Sequence, residues 1–229
     1  MTNRPVALVT GATRGIGRAI AVELSSTHRI LVGGRDASRA GALVAELGDA
    51  APFVCDLADE DAVAAACAGI GRLDVLVHSA GIGRSNDIGV ASRALWREVF
   101  ETNVFAVADL TRLLLPALEA ARGIVVAINS GAGFFSSPGG GVYAGSKFAL
   151  RALTDALREE MRGKVRVCSI HPGRTDTDMQ RELQAAMGNE HYNGSCYVSP
   201  GSVAAAVRLA VDTPDNATVE QLSIRPSVF

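Results

Sequence analysis

Val6-Ala7-Leu8-Val9-Thr10-Gly11-Ala12-Thr13-Arg14-Gly15-Ile16-Gly17 decides the fold of this chain. The opening run is apolar at nearly every position, as in a strand covered on both faces. Ile16, Ile20 and Leu24 then recur at every fourth residue, the stripe of an amphipathic helix. Glycines at a strand-to-helix junction permit positive φ and let the backbone approach a bound pyrophosphate, whose charge the helix N-terminus stabilises. The spacing is GxxxGxG and departs from GxGxxG; taken alone, it also fits a tight structural corner.

The same pattern continues outward. Short β-rich runs at Ile30–Val32, Phe53–Cys55, Val75–His78, Ile124–Ile128, Val165–Ile170 and Leu222–Ile224 alternate with helical stretches. Asp59 suits a helix cap, Leu150, Leu153 and Leu157 make another apolar stripe, and a further helix is expected near Val203–Val211. This rhythm predicts an α/β chain with a doubly wound, mostly parallel sheet and helices on both faces. A single domain over 1–229 is expected. Residues 175–200 carry Gly188, Asn189, Asn193, Gly194 and Ser195, and read as a partly helical excursion leaving the carboxyl end of the sixth strand. Ligands in such sheets bind at those ends, so the excursion is expected to act as a lid.

Composition narrows the function. The net charge of −2 does not advertise nucleic acid or an anionic membrane as a partner. The four cysteines, Cys55, Cys67, Cys168 and Cys196, show no CxxC pair or metal-ligand spacing, so no metal is expected and a reducing cytoplasm is the natural compartment. No signal peptide or membrane-spanning run is apparent.

Several segments resemble, in order, the motifs of the short-chain dehydrogenase/reductase family: Thr10 to Gly17, Cys55-Asp56-Leu57, His78-Ser79-Ala80-Gly81, Asn103, Ser130, Tyr143-Ala144-Gly145-Ser146-Lys147 and His171-Pro172-Gly173 after strand six. The resemblance covers nearly the whole chain and implies a Rossmann-type fold. It implies that Thr10, Gly11, Thr13, Arg14, Gly15, Ile16 and Gly17 hold the cofactor phosphates, that Asp56 and the Leu57 backbone meet the adenine, and that Ala80 and Gly81 line a ribose. Asp56 also fits a turn carboxylate. Ser79 stands where the family usually has asparagine, which puts the customary bracing between the central strands in question. His78 reads as a strand-end histidine. Pro172, Gly173, Thr175 and Thr177 resemble the segment along the nicotinamide, although Thr175 replaces a branched apolar residue; a proline-directed turn fits as well.

The second strand ends Val32-Gly33-Gly34-Arg35-Asp36. Gly34 occupies the place of the acid that favours NAD, while Arg35 and Arg14 offer guanidinium groups for the 2′-phosphate of NADP. NADP(H) is therefore expected, with NAD(H) open if Asp36 is the ribose acid.

Tyr143 and Lys147, at i and i+4, share one helix face. A phenol near pKa 10 is a weak base at neutral pH, and an ammonium nearby is expected to draw that value down. By resemblance Tyr143 is the general acid/base, Lys147 also binds the nicotinamide ribose, Ser130 steadies the substrate oxygen and Asn103 holds a relay water. An isolated Tyr/Lys pair is otherwise an ordinary surface contact; Ser136, Ser137 and Ser146 read as loop or packing residues. The expected reaction interconverts a carbonyl and a secondary alcohol of a small molecule. The alternative from another class is a cofactor-binding sensor or structural protein with little turnover; sugar epimerisation or dehydration usually needs a longer tail. The pocket is expected to draw on 82–85, 131–141 and Met179, Leu183, Met187, Tyr192 and Tyr197. Family resemblance implies a homodimer or homotetramer through the helices near Asn103–Leu118 and Tyr143–Arg162.

Overall fold

The computed structural model describes residues 4–186, 188, 189 and 191–227; Met187 lies outside them. Strands β1 (Val6–Val9), β2 (Arg29–Gly34), β3 (Ala50–Val54), β4 (Val75–His78), β5 (Ile124–Ile128), β6 (Arg166–Pro172) and β7 (Gln221–Ile224) form one sheet. Its order is β3-β2-β1-β4-β5-β6-β7, and all neighbouring strands run parallel. The expected doubly wound, Rossmann-type sheet is therefore present.

Helices α1 (Gly15–Ser25), α2 (Ala37–Leu47), α3 (Glu60–Cys67), α4 (Arg93–Phe100), α5 (Ala106–Ala121), α6 (Gly141–Glu160), α7 (Asp178–Ala186) and α8 (Pro200–Asp212) connect the strands. Alternation along each strand serves two cores. Ala7, Val9, Val75 and Val77 pack with Ile20 and Leu24 of α1, Leu43 of α2 and Val203 and Val207 of α8. Leu8, Leu76, Val125 and Val167 pack instead with Val63 of α3, Leu110, Leu114 and Leu118 of α5 and Leu157 of α6. Each fully buried leucine contributes roughly 1.5–3 kcal/mol.

Asp59 caps α3 by accepting from Ala62 N at 3.0 Å, as its position suggested. Several strand ends differ from the sequence reading, most clearly in β3 and β6. β3 begins at Ala50, not Phe53, and leaves Cys55 beyond its end; it tolerates Pro52 because it is an edge strand. β6 continues through His171 and Pro172, because β7 pairs with both. The 175–200 stretch is α7, a short 3₁₀ turn at Gly194–Cys196, and a parallel bridge between Thr175 and Val198. Among the described residues, no helix is long and apolar enough to cross a membrane.

The winding runs outward from β1 to β3, then returns to place β4 on the other side of β1. Connections leaving β1 and β4 thus diverge at their carboxyl ends and open a crevice there.

Candidate active site

The crevice holds a cavity of about 260 Å³ lined by Thr10, Gly11, Thr13, Arg14, Gly15, Ile16, Gly17, Arg35, Asp56, Leu57, Ser79, Ala80 and Gly81. These residues come from four loops far apart along the chain, and the lining also takes in Ala58, Thr102 and Asp178, which the sequence reading did not name. Two glycines account for the tightness of the phosphate loop. Gly11 has φ +63°, and a Cβ on Gly17 would stand 2.2 Å from the Gly11 carbonyl oxygen. Arg14, at the N-cap of α1, makes no side-chain cap, so the first amides of α1 are left for a ligand.

Ser79 does not brace the central strands; Thr10 does. Its hydroxyl accepts from Ser79 N at 3.0 Å and Ala80 N at 3.1 Å, and donates to Val77 O at 3.3 Å. Beside it His78 is a packing residue, with Nε2 2.8 Å from Thr111 Oγ1 and its pKa lowered to about 4 by burial.

Just past β3, Asp56 Oδ1 accepts from Ala58 N at 3.1 Å while Oδ2 stands 3.8 Å from Arg35 Nη1. Both the turn role and the cavity position are therefore real. Asp36 instead caps α2, accepting from Arg39 N at 3.1 Å, and lies outside the cavity lining. Gly34 carries no side chain into the cavity, and a Cβ added there would press on the Thr13 Cγ2 methyl at 2.9 Å.

A second cavity of about 840 Å³ shares Ile16, Thr177 and Met179 with the first. Ser130 and Tyr143 face it, together with Pro172, Gly173 and Thr175. Ser130 follows β5 directly and Tyr143 stands in the first turn of α6, so strand and helix converge on one point. The Ser130 hydroxyl accepts from Ala132 N at 3.1 Å and stands on the same cavity wall as the Tyr143 side chain. Lys147 is buried, with Nζ donating to Ile128 O at 2.9 Å and lying 5.7 Å from the Tyr143 ring centre.

The electrostatics differ from the expectation. Burial pushes the Tyr143 phenol up, and the Ser130 hydroxyl only partly offsets this. Burial also lowers Lys147 to about 8. The Lys147 ammonium, turned to the Ile128 carbonyl, does not outweigh the burial of the phenol.

Asn103 lies in a π-helical turn, Glu101–Phe105, joining α4 to α5. Its Oδ1 accepts from Ile82 N at 2.9 Å, and Nδ2 donates to Ile82 O at 2.9 Å and Ser146 Oγ at 3.0 Å. The side chain therefore fixes the loop after β4 against α6. Ser146 is a packing residue, as expected.

Thr177 Oγ1 accepts from Gln180 N at 3.2 Å and so starts α7 at the seam of the two cavities. Met179 and Leu183 line the larger cavity, but Tyr192 and Tyr197 do not. These tyrosines stack on each other at 4.8 Å, and the Tyr192 hydroxyl donates to Asp176 at 2.9 Å, which ties the excursion to itself. Arg225, just past β7, also lines this cavity. Nothing in the local sequence marks it, because only the packing of β7 beside β6 brings it there.

Residues 5–188 match the short chain dehydrogenase family. The chain belongs to the short-chain dehydrogenase/reductase family. Among short-chain dehydrogenases, it is 34% identical to serine 3-dehydrogenase of Agrobacterium fabrum over 96% of this chain and 92% of that protein. An alcohol dehydrogenase from the archaeon Thermococcus sibiricus, complexed with 5-hydroxy-NADP, superposes with a TM-score of 0.87 at 28% identity, covering 98% of this chain and 97% of that one. The closed form of serine dehydrogenase complexed with NADP+ gives 0.88 at 26% identity, over 96% and 94%. Membership in this family makes the protein an oxidoreductase acting on CH–OH groups.

Proposed function

We propose that this protein is an NADP(H)-dependent reductase or dehydrogenase that interconverts a carbonyl and a secondary alcohol, with Tyr143 as the general acid/base. The observation that carries the proposal is Tyr143 and Ser130 together on the wall of a chamber that shares residues with the glycine-rich crevice. The crevice fits a dinucleotide because its floor is backbone: side chains at Gly11 and Gly17 would collide with Ala80 and with the Gly11 carbonyl.

The bound nicotinamide group supplies or accepts a hydride. The chain handles the proton and the charge. In reduction the neutral Tyr143 phenol gives its proton to the carbonyl oxygen while Ser130 hydrogen-bonds that same oxygen. Lys147 holds the nicotinamide ribose, and its charge opposes the phenolate left behind. Asn103 acts as a positioning residue through Ile82, and a relay water is assigned to its neighbourhood. Pro172, Gly173, Thr175 and Thr177 would flank the nicotinamide, with the 175–200 stretch that carries α7 as the lid.

Preference for NADP rests on Arg14 and Arg35 lining the crevice, on a glycine, Gly34, in the place of the acid, and on Asp36 being turned to its helix cap. The test is a carbonyl and alcohol panel followed by nicotinamide absorbance, with Tyr143→Phe as control. Turnover by the wild type and its loss in the variant support the assignment; tight cofactor binding without turnover on any substrate favours the sensor reading.

A further inference from the structure

We propose that the larger cavity takes an anionic substrate, an oxo or hydroxy acid whose carboxylate is received by Arg225; the proposal rests on, and sharpens, the oxidoreductase reading. Charge in the cavity wall is one-sided. Arg84, Arg174 and Arg225 contribute to it, and its lining contains no aspartate or glutamate. Arg84 is neutralised by Glu98 at 2.8 Å. Arg174 lies over the Tyr197 ring, 5.2 Å from its centre. Among the described residues, no carboxylate forms an ion pair with Arg225. A positive chamber without a counter-charge selects for acids and disfavours cations.

The Arg225 side chain has a fixed path. Its Nη1 donates to His171 O at 2.7 Å and Ile224 O at 3.1 Å, which anchors one edge of the guanidinium. Two glycines make room for the rest. A Cβ on Gly173 would meet Arg225 Cδ at 3.2 Å, and one on Gly131 would meet Nη2 at 3.3 Å. Gly131 follows Ser130, so Nη2 rests beside the residue next to the hydroxyl that meets the reacting oxygen. The Phe135 ring reaches the same spot, with Cζ 3.6 Å from that Gly131 position. A planar cation with donors left over, beside an apolar ring, suits a carboxylate on an organic body better than a neutral alcohol. With Met179 and Leu183 also in the wall, the cavity's about 840 Å³ accommodates such a body.

The experiment compares an oxo acid with its methyl ester in the cofactor-loaded protein, and in parallel titrates a non-reacting carboxylate, phenylacetate, against phenylacetamide by calorimetry. The expected result is a preference of about 10-fold or more for acid over ester in kcat/KM, and for phenylacetate over the amide in Kd. Arg225→Gln should collapse both preferences, mainly through KM, and Arg225→Lys should restore part of them. A wild-type protein that treats acid and ester alike, or a variant that keeps the acid preference while losing activity on both, overturns the proposal. Should no carbonyl be turned over, the calorimetric preference still decides on Arg225, while the oxidoreductase reading alone fails. A phosphonate analogue bound more tightly than the carboxylate counts against a carboxylate site.

Discussion

Tyr143 shows how one residue's surroundings choose its protonation state. Half-buried and raised, its phenol is neutral at pH 7, the state needed to donate a proton to a carbonyl. Reduction is therefore expected to stay level below pH 8 and fall above it as Lys147, lowered to about 8, loses its charge; oxidation, which needs the phenolate, should climb with pH. Steady-state pH profiles in both directions check this, and Tyr143→Phe should lower kcat by about 10²–10⁴-fold. Lys147 also carries a stability cost. Below pH 8 the folded chain holds a charge in a buried place, and between 8 and the usual 10.5 it releases a proton that the unfolded chain keeps. Lys147→Met should thus stabilise the protein at pH 7 by on the order of 2 kcal/mol, with the gain shrinking toward pH 10 in urea titrations, while activity is lost. Arg35→Ala is expected to raise KM for NADPH about 10-fold and leave that for NADH nearly unchanged. Asn103, Ser130, Tyr143 and Lys147 could be named as candidates because spacing and residue type survive in one dimension. The direction of the Tyr143 shift was not legible, since burial depends on elements that only folding assembles.

Elements explain what single residues do not. The Thr10 hydroxyl sews the end of β1 to the chain leaving β4, where asparagine was the anticipated brace. Thr10→Val should leave two amides without their acceptor, costing about 1–3 kcal/mol and weakening cofactor binding. A lower urea midpoint and a higher Kd for NADP together would bear this out; unchanged values would place the stitch elsewhere. Strands β1, β4 and β5 coincide with their apolar runs because they are buried on both sides. β3 outruns its run: Ala50 and Ala51 are only partly buried and Pro52 is exposed, so hydrophobicity there carries a weak signal. The π turn around Asn103 left no trace in the sequence, since its cause is the amide's grip on Ile82 across the fold.

Taken as a whole, the molecule presents Phe105 and Phe148 on the π turn and α6, 53% and 44% exposed, on the helices through which pairing was expected. We propose that a second copy covers them. Sedimentation should give a dimer or tetramer for the wild type and a smaller species for the double variant Phe105→Asp and Phe148→Asp. The parallel architecture was readable because each strand-helix repeat announces itself locally; the approach of β7's tail to the chamber was not, as it joins residues distant along the chain. Ile16, Thr177 and Met179 belong to both chambers at once. A wall shared by two tenants couples their occupancy. The dinucleotide is expected to load before the acid and leave after the product, so product inhibition by NADP against NADPH should be competitive and remain so at saturating substrate.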